Sequence, residues 1–396
     1  MQIAEGNCNY VPVKSPSPSP PYDFRRCKES STNLLDSLPD ELLFNILVHL
    51  PAEDIYDHAM LVCRKWYRMI RTRYFVHEHL QHSTPGLLLH NSRNKTTSFA
   101  AMRRGRIELS ECSYTIRAYE GWDSCNGLIL EYYSFEGTLG FHIINPATRK
   151  IFEIPRFSPQ GTTIDHRWGI AYSAASGEYK VARTYANKVD DEDDDDDDLQ
   201  YVVDIVTVGV DESWRCVCTQ HLSPESKVLL GKDSVTTEGF IHYMNSFDDN
   251  RVLTLNVETE TITEYAIPQG LDYKFRCCLS TGKSLSMLGK CGEENYWEVW
   301  EMKSETGEWT EMYSIDLEAH KCKLEELYGK KDKGSGIIVP MGWLKYHEVV
   351  ILRFLHSARF HIAYNVRTHE INSLELACDS FNPAFKVHTN SLVGLV

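Results

Sequence analysis

No stretch of the sequence approaches the roughly 20 uncharged apolar residues that cross a bilayer as a helix, so a spanning helix is excluded on length. Behind the opening MQIAEGNC there is no basic patch followed by an apolar run, and the closing SLVGLV lacks the cysteine of a prenyl anchor. Neither secretion nor membrane attachment is expected. Disulfide density is low too. Twelve cysteines in 396 residues are too dilute for a disulfide framework and read as reduced thiols, which places the chain in the cytoplasm or nucleus. Basic charge is in deficit, with 41 Lys and Arg against 56 Asp and Glu and a formal charge of −15. A phosphate backbone is bound by Lys and Arg that displace its counterions, so nucleic acid is a poor partner and protein partners fit better. What the chain has is 42% apolar side chains, enough for one large domain or two ordinary ones with a real core.

Residues 1–33 contain Ser15-Pro16-Ser17-Pro18-Ser19-Pro20-Pro21, an alternation with no apolar periodicity, and are expected to form a disordered leader. From 34 to 80 the texture becomes helical. Ser37 stands three residues before Asp40 as a capping-box-like pair, and Pro39 falls in the first turn, where a missing N–H costs nothing. Leu42, Leu43, Ile46, Leu47 and Leu50 then follow at helical spacing until Pro51 ends the run. A second ridge, Ile55, Ala59, Val62, Trp66 and Ile70, is predicted on the next helical segments. So small a unit leaves apolar surface uncovered and should dock on something.

After Pro85 the period changes from 3.6 to 2, with Gly and Asn-Pro turns and many aromatic and β-branched residues, which predicts strands over 85–396. One unit recurs: strand, polar turn, strand. It is plainest at Asn145-Pro146-Ala147-Thr148-Arg149, at Asn256-Val257-Glu258-Thr259-Glu260 and at Asn365-Val366-Arg367-Thr368-His369. With looser copies near Ser176-Gly177, Asp211-Glu212 and Ser304-Glu305, the mean spacing is about 44 residues, within the range of propeller blades. About six blades are expected, closed by Ser391–Val396 pairing beside Gly86–His90 so that no sheet edge is left open. Nine consecutive acids, Asp190 to Asp198, lie between two such strands and are predicted to form a self-repelling solvated loop.

A search for chemistry returns little. Gly282-Lys283-Ser284 ends like a phosphate-binding loop, but Cys277 stands where the pattern requires Gly, and Leu279 to Leu288 reads as a hairpin with no helix to follow. There is no C-x-x-C. Cys216 and Cys218 share a strand face, Cys277 and Cys278 are adjacent, and His77, His79 and His82 are close in sequence, but no ligand set of metal spacing emerges. No G-x-S-x-G elbow is present, and the eight Trp and 21 Tyr suit the spaces between blades better than a sugar surface. The chain is expected to be non-catalytic, without metal or cofactor.

The segment Leu35-Asp36-Ser37-Leu38-Pro39-Asp40-Glu41-Leu42-Leu43-Phe44-Asn45-Ile46-Leu47, with Leu50-Pro51 and Leu61-Val62-Cys63-Arg64-Lys65-Trp66-Tyr67, resembles the F-box. The remainder resembles the F-box-associated domain of plant F-box proteins, a kelch-like propeller. The matching pieces include Ser124-Cys125-Asn126-Gly127-Leu128-Ile129, Asn145-Pro146-Ala147-Thr148-Arg149, Glu212-Ser213-Trp214-Arg215, Trp297-Glu298-Val299-Trp300-Glu301-Met302 and Ser391-Leu392-Val393. Trp168-Gly169-Ile170 replaces the usual glycine-phenylalanine-glycine, and the acidic run is an addition. The resemblance implies an F-box at 34–80 that grips a Skp-type adaptor and a propeller at 85–396 that binds a target protein. It thereby implies a substrate receptor of a Skp–cullin–F-box ubiquitin ligase. The alternative is a non-catalytic scaffold acting outside a cullin assembly. Carried over by position, the adaptor contact or the core beneath it would be Leu38, Pro39, Leu42, Ile46, Leu50, Val62 and Trp66.

Overall fold

The computed structural model describes residues 38–91, 95–112, 114–116, 121–135, 138–157, 163–188, 199–245, 250–268, 273–291, 295–328, 338–354, 360–375 and 384–395. The expected leader at 1–33 and the acidic run at 190–198 lie outside them. The chain divides into two compact units, Met1–Asn45 and Ile46–Val396, with the boundary inside the first helix.

The helices are α1 (Asp40–Leu47), α2 (Ala52–Asp54), a π turn (Ile55–Ala59), α3 (Met60–Val62), α4 (Arg64–Ile70) and α5 (Arg73–His82). In α1 the Pro39 carbonyl accepts the first intrahelical bond, from Leu43 N–H. Thr72 caps α5, its hydroxyl accepting from Phe75 N–H at 3.1 Å. The predicted ridge over 55–70 is interrupted twice. The π turn adds a residue to one turn, and Cys63, extended at φ −160 and ψ 170, separates α3 from α4. The phase therefore slips. Ile55, Ala59, Trp66 and Ile70 are buried, but Val62 is turned to solvent.

Residues 86–388 form six four-stranded antiparallel sheets. Blade 1 holds Gly86–Asn91, Thr96–Arg103, Arg106–Glu111 and, innermost, Ala384–His388. Blade 2 runs through Trp122–Cys125, Leu128–Phe135, Thr138–Asn145 and Lys150–Glu153, and blade 3 through Thr163–Ser173, Glu178–Lys188, Leu199–Thr207 and Arg215–Val217. Blade 4 spans Asp233–Ala266, blade 5 Tyr273–Asp316 and blade 6 Ile338–Glu375. The innermost strands touch in sequence around the circle, and that of blade 6 returns to Ala384–His388, which closes it.

Burial follows position in the blade. The strands Gly86–Asn91 and Val349–Phe354 are buried throughout, whereas the outer Arg106–Glu111 is almost wholly exposed. Six hydrophobic clusters fill the six gaps between neighbouring blades. Trp297 and Trp343 share the gap between blades 5 and 6, and Trp122 lies between blades 1 and 2. At the axis one carboxylate ties four blades. Asp123 of blade 2 accepts from Ile170 N–H of blade 3 at 3.0 Å and from the Thr236 hydroxyl of blade 4, and the Lys386 ammonium of blade 1 lies 3.7 Å away. Gly169 permits this approach, because a Cβ there would stand 2.9 Å from Thr236 Oγ1.

The repeated polar turns have a common cause. Asn145, Asn256 and Asn365 each accept from the N–H groups two and three residues on, and the residue after that turn, Arg149, Glu260 or His369, is left-handed. Two expectations need correction. The closing strand is Ala384–His388, paired to Gly86–His90, and not Ser391–Val396. Pairing stops at His388 because the chain beyond it is drawn onto blade 2 by Asn145. The turn at Ser176-Gly177 joins the first two strands of blade 3, while the other five turns join third to fourth strands. Blade 1 makes its own turn at Arg104-Gly105, with both residues at positive φ and without the Asn signal. The repeat is therefore about 50 residues, the kelch-type length, and the number of blades is six.

Candidate functional site

The apolar stripe of α1 is divided along its length. Leu43 and Leu47 are buried, while Leu42 and Ile46, also four residues apart and so on one helix face, are 52% and 50% exposed. Farther on, Leu61 and Val62 of α3 are 51% and 48% exposed. Of the seven residues assigned by resemblance, Pro39, Leu42, Ile46 and Val62 are exposed, Leu38 and Leu50 are half-buried, and Trp66 is buried. Trp66 therefore belongs to the core beneath the surface rather than to the surface itself. Leu61 and the 66% exposed Tyr74 are two apolar groups that periodicity missed. Leu61 adjoins Val62 and is turned outward by the same slip in phase; Tyr74 gives no sequence signal beyond its type.

The helices from Ile46 onward dock on the ring. Val76 and Leu80 of α5 pack on the cluster between blades 2 and 3, together with Val393 and Leu395. Asp57 pairs with Arg149 of the blade 2 turn at 2.7 Å. The segment 389–395 passes through this junction as a strap. Asn145 Nδ2 donates to the Ser391 and Val393 carbonyls at 3.0 and 2.7 Å, and the Ser391 hydroxyl donates to Asn126 O at 2.6 Å. Gly127, left-handed at φ +84, lets the strap lie close, since a Cβ would meet Ser391 Oγ at 2.2 Å. A chain of side chains then links ring to helix. Ser124 Oγ donates to His388 Nδ1 at 2.8 Å, His388 Nε2 donates to Asn390 Oδ1 at 3.0 Å, and Asn390 Nδ2 donates to Glu53 Oε1 at 2.7 Å. Burial pushes the His388 imidazole down to about 4, so it is neutral at pH 7.

The residues singled out for chemistry have other duties. His79 is buried against Phe75 with its pKa lowered by burial, and its Nε2 donates to Leu50 O at 2.9 Å, so it joins α5 to the end of the α1 turn. His82 Nδ1 donates to Glu78 O. Gly282-Lys283-Ser284 is the hairpin between strands of blade 5; the N–H groups of Lys283 and Ser284 already donate to Thr281 Oγ1, and that of Gly282 to Ser280 Oγ. Burial raises the Cys277 thiol to about 12 and also raises Cys278, which keeps both protonated. Cys63, Cys112, Cys125, Cys216, Cys218, Cys277, Cys278 and Cys322 are free, and among the described residues no group of three His, Cys, Asp or Glu could hold a metal ion. The arrangement thus offers a docked helical surface with uncovered apolar side chains.

Comparison with known proteins gives concordant matches to both parts. The profile of the F-box associated beta propeller domain matches residues 80–382, and that of the F-box-like domain matches residues 35–82. F-box protein At2g34280 of Arabidopsis thaliana is 23% identical over 333 residues, covering 72% of this chain and 82% of that protein. F-box protein At3g08750 of the same plant is 42% identical over 52 residues, 13% of this chain and 14% of its own length.

Proposed function

The chain belongs to the F-box associated beta propeller domain family and carries an F-box-like module ahead of the ring, and from that premise we propose that it is the substrate-recognition subunit of a Skp–cullin–F-box ubiquitin ligase. The helical module binds a Skp-type adaptor and through it a cullin–RING assembly, while the ring binds the target protein. The chain itself is non-catalytic. Ubiquitin transfer is borrowed from the assembly, which acts in the cytoplasm or nucleus.

The observation that carries this reading is the uncovered apolar surface of the helices, with Ile46, Leu61 and Val62 each about half exposed. A free apolar surface of this kind is covered by a partner. Each such anchor contributes roughly 1.5 to 3 kcal/mol on full burial, before the costs of association. The test titrates the full chain with a Skp-type adaptor by calorimetry. Leu61→Asp with Val62→Asp should weaken the complex at least ~100-fold while the melting temperature stays within a degree or two. Unchanged affinity would refute the assignment. Adaptor capture without cullin recruitment or ubiquitin-conjugated product would replace it with the scaffold reading.

A further inference from the structure

Between the helical residues after Ile46 and blade 1 lies a cleft of about 380 Å³, within the roughly 300 to 1,000 Å³ of small-molecule sites. Its walls are the chain from Val48 to Glu53, the end of α5 at His82–Thr84, the second strand of blade 1 from Phe99 to Arg104, and Asn390 of the strap. The lining is of two kinds. Val48, Ala52 and Phe99 are buried and Leu50 and Met102 half-buried, whereas His49, His82, Arg103 and Arg104 are exposed. The cleft therefore has an apolar floor and a basic rim. Glu53 is the one acid among the lining residues, and its Oε1 already accepts from Asn390 Nδ2 at 2.7 Å.

The fold gives no reason for the basic rim. The second strand of blade 1 passes to the third through Arg103-Arg104-Gly105-Arg106, three guanidinium groups in four residues of a chain whose formal charge is −15. Arg103 and Arg106 are in direct register, where like charges oppose strand pairing. Arg104 is left-handed at φ 50, a place that the turn would fill better with Asn or Gly. Glu108 stands 3.9 Å from Arg103, with both side chains about half exposed, so water and salt leave little of that attraction. Arg104 and Arg106 have no acid within 4 Å among the described residues. The repulsion at this hairpin tip is relieved when an anion is brought to it.

We propose that the cleft binds a small organic anion with an apolar body, which lies on Phe99 and Met102 while its carboxylate, sulfonate or phosphate head meets the Arg103 and Arg104 guanidinium groups. Arg is the side chain suited to such heads, because its planar fork donates two parallel hydrogen bonds. The apolar floor selects an organic anion over inorganic phosphate. This inference stands apart from the receptor reading. Because the ligand touches helix and ring together, it favours their docked arrangement and raises the melting temperature in proportion to its occupancy.

The test titrates the full chain with 2-naphthalenesulfonate, read by ligand-observed NMR, against the uncharged 2-naphthalenemethanol and the cationic 2-naphthylmethylammonium. Expected is sulfonate tighter than alcohol by ~10-fold, with the ammonium weakest and inorganic phosphate at least ~10-fold weaker than the sulfonate. Arg103→Gln with Arg104→Gln, both on the surface, should bring the sulfonate down to the affinity of the alcohol and leave the alcohol unmoved. Met102→Trp, whose fold is checked by thermal melting, fills the cleft and should abolish binding of both. Leu61→Asp with Val62→Asp should change neither, since those side chains lie outside the cleft. Equal affinity for the three naphthalenes would overturn the proposal. So would a preference for the sulfonate that survives the loss of both arginines, or binding that survives Met102→Trp or disappears with Leu61→Asp and Val62→Asp.

Discussion

The helices and the ring treat apolar surface in opposite ways. Among the described residues, nine large apolar side chains are exposed, and five of them, Leu42, Ile46, Leu61, Val62 and Tyr74, fall within 33 residues of helix. The other four, Leu109, Ile151, Val210 and Val228, lie singly along the ring, no two within 15 residues of each other. A closed ring gives every strand face a neighbouring blade, so its six gaps can be filled to completion. Short helices cannot enclose both sides of their own stripe. One half packs and the other half stays uncovered.

The contrast is sharpest in a pair of substitutions. Trp297→Ala, which empties a fully buried site between blades 5 and 6, should lower unfolding free energy by about 3 to 5 kcal/mol in urea titration. Ile46→Ala should change it by less than ~0.5 kcal/mol and yet weaken adaptor binding about tenfold. A large stability loss for Ile46→Ala would break the distinction between the two regions.

Acid should act through the ring. Burial lowers His388 to about 4 and His242 to about 3, below the ordinary value of 6.5. The unfolded chain therefore binds protons that the folded chain refuses, and stability falls as pH drops from about 6.5 towards 4, by a few kcal/mol. Above that window the contribution is complete. Urea midpoints between pH 7 and 4 read the slope, and His388→Gln should flatten part of it.

Smaller effects separate the strap from an ordinary turn. Asn145 and Asn256 occupy equivalent turns, but only Asn145 also holds the Ser391 and Val393 carbonyls. Asn145→Ala should cost about 2 to 3 kcal/mol and Asn256→Ala about 1 kcal/mol in the same assay. Equal costs would mean that the strap is loosely held. Least of all, Arg149→Ala removes an exposed ion pair to Asp57 and should cost under ~0.5 kcal/mol, with adaptor affinity unmoved.

What could be read from sequence was local. The turns at Asn145, Asn256 and Asn365 announce themselves because the Asn side chain bonds to its own neighbours, and the stripe of α1 because helical spacing is a short-range pattern. Periodicity marks a stripe without saying what covers it, so the separation of Leu43 and Leu47 from Leu42 and Ile46 was not legible. Trp66 and Val62 looked like one ridge, because nothing in the letters around Cys63 shows a helix break. The role of Asp123 was hidden for a different reason: Ile170, Thr236 and Lys386 come to it only when the ring closes.

The strap has a consequence for biosynthesis. The helices leave the ribosome early, but their seat includes Asn390, Val393 and Leu395, and the first blade lacks its innermost strand until Ala384–His388 has been made. During synthesis the nascent helices thus stay undocked beside an open ring, with greasy side chains that a chaperone must shield. A premature stop anywhere before residue 384 would yield a product that displays the helices on an unclosed ring.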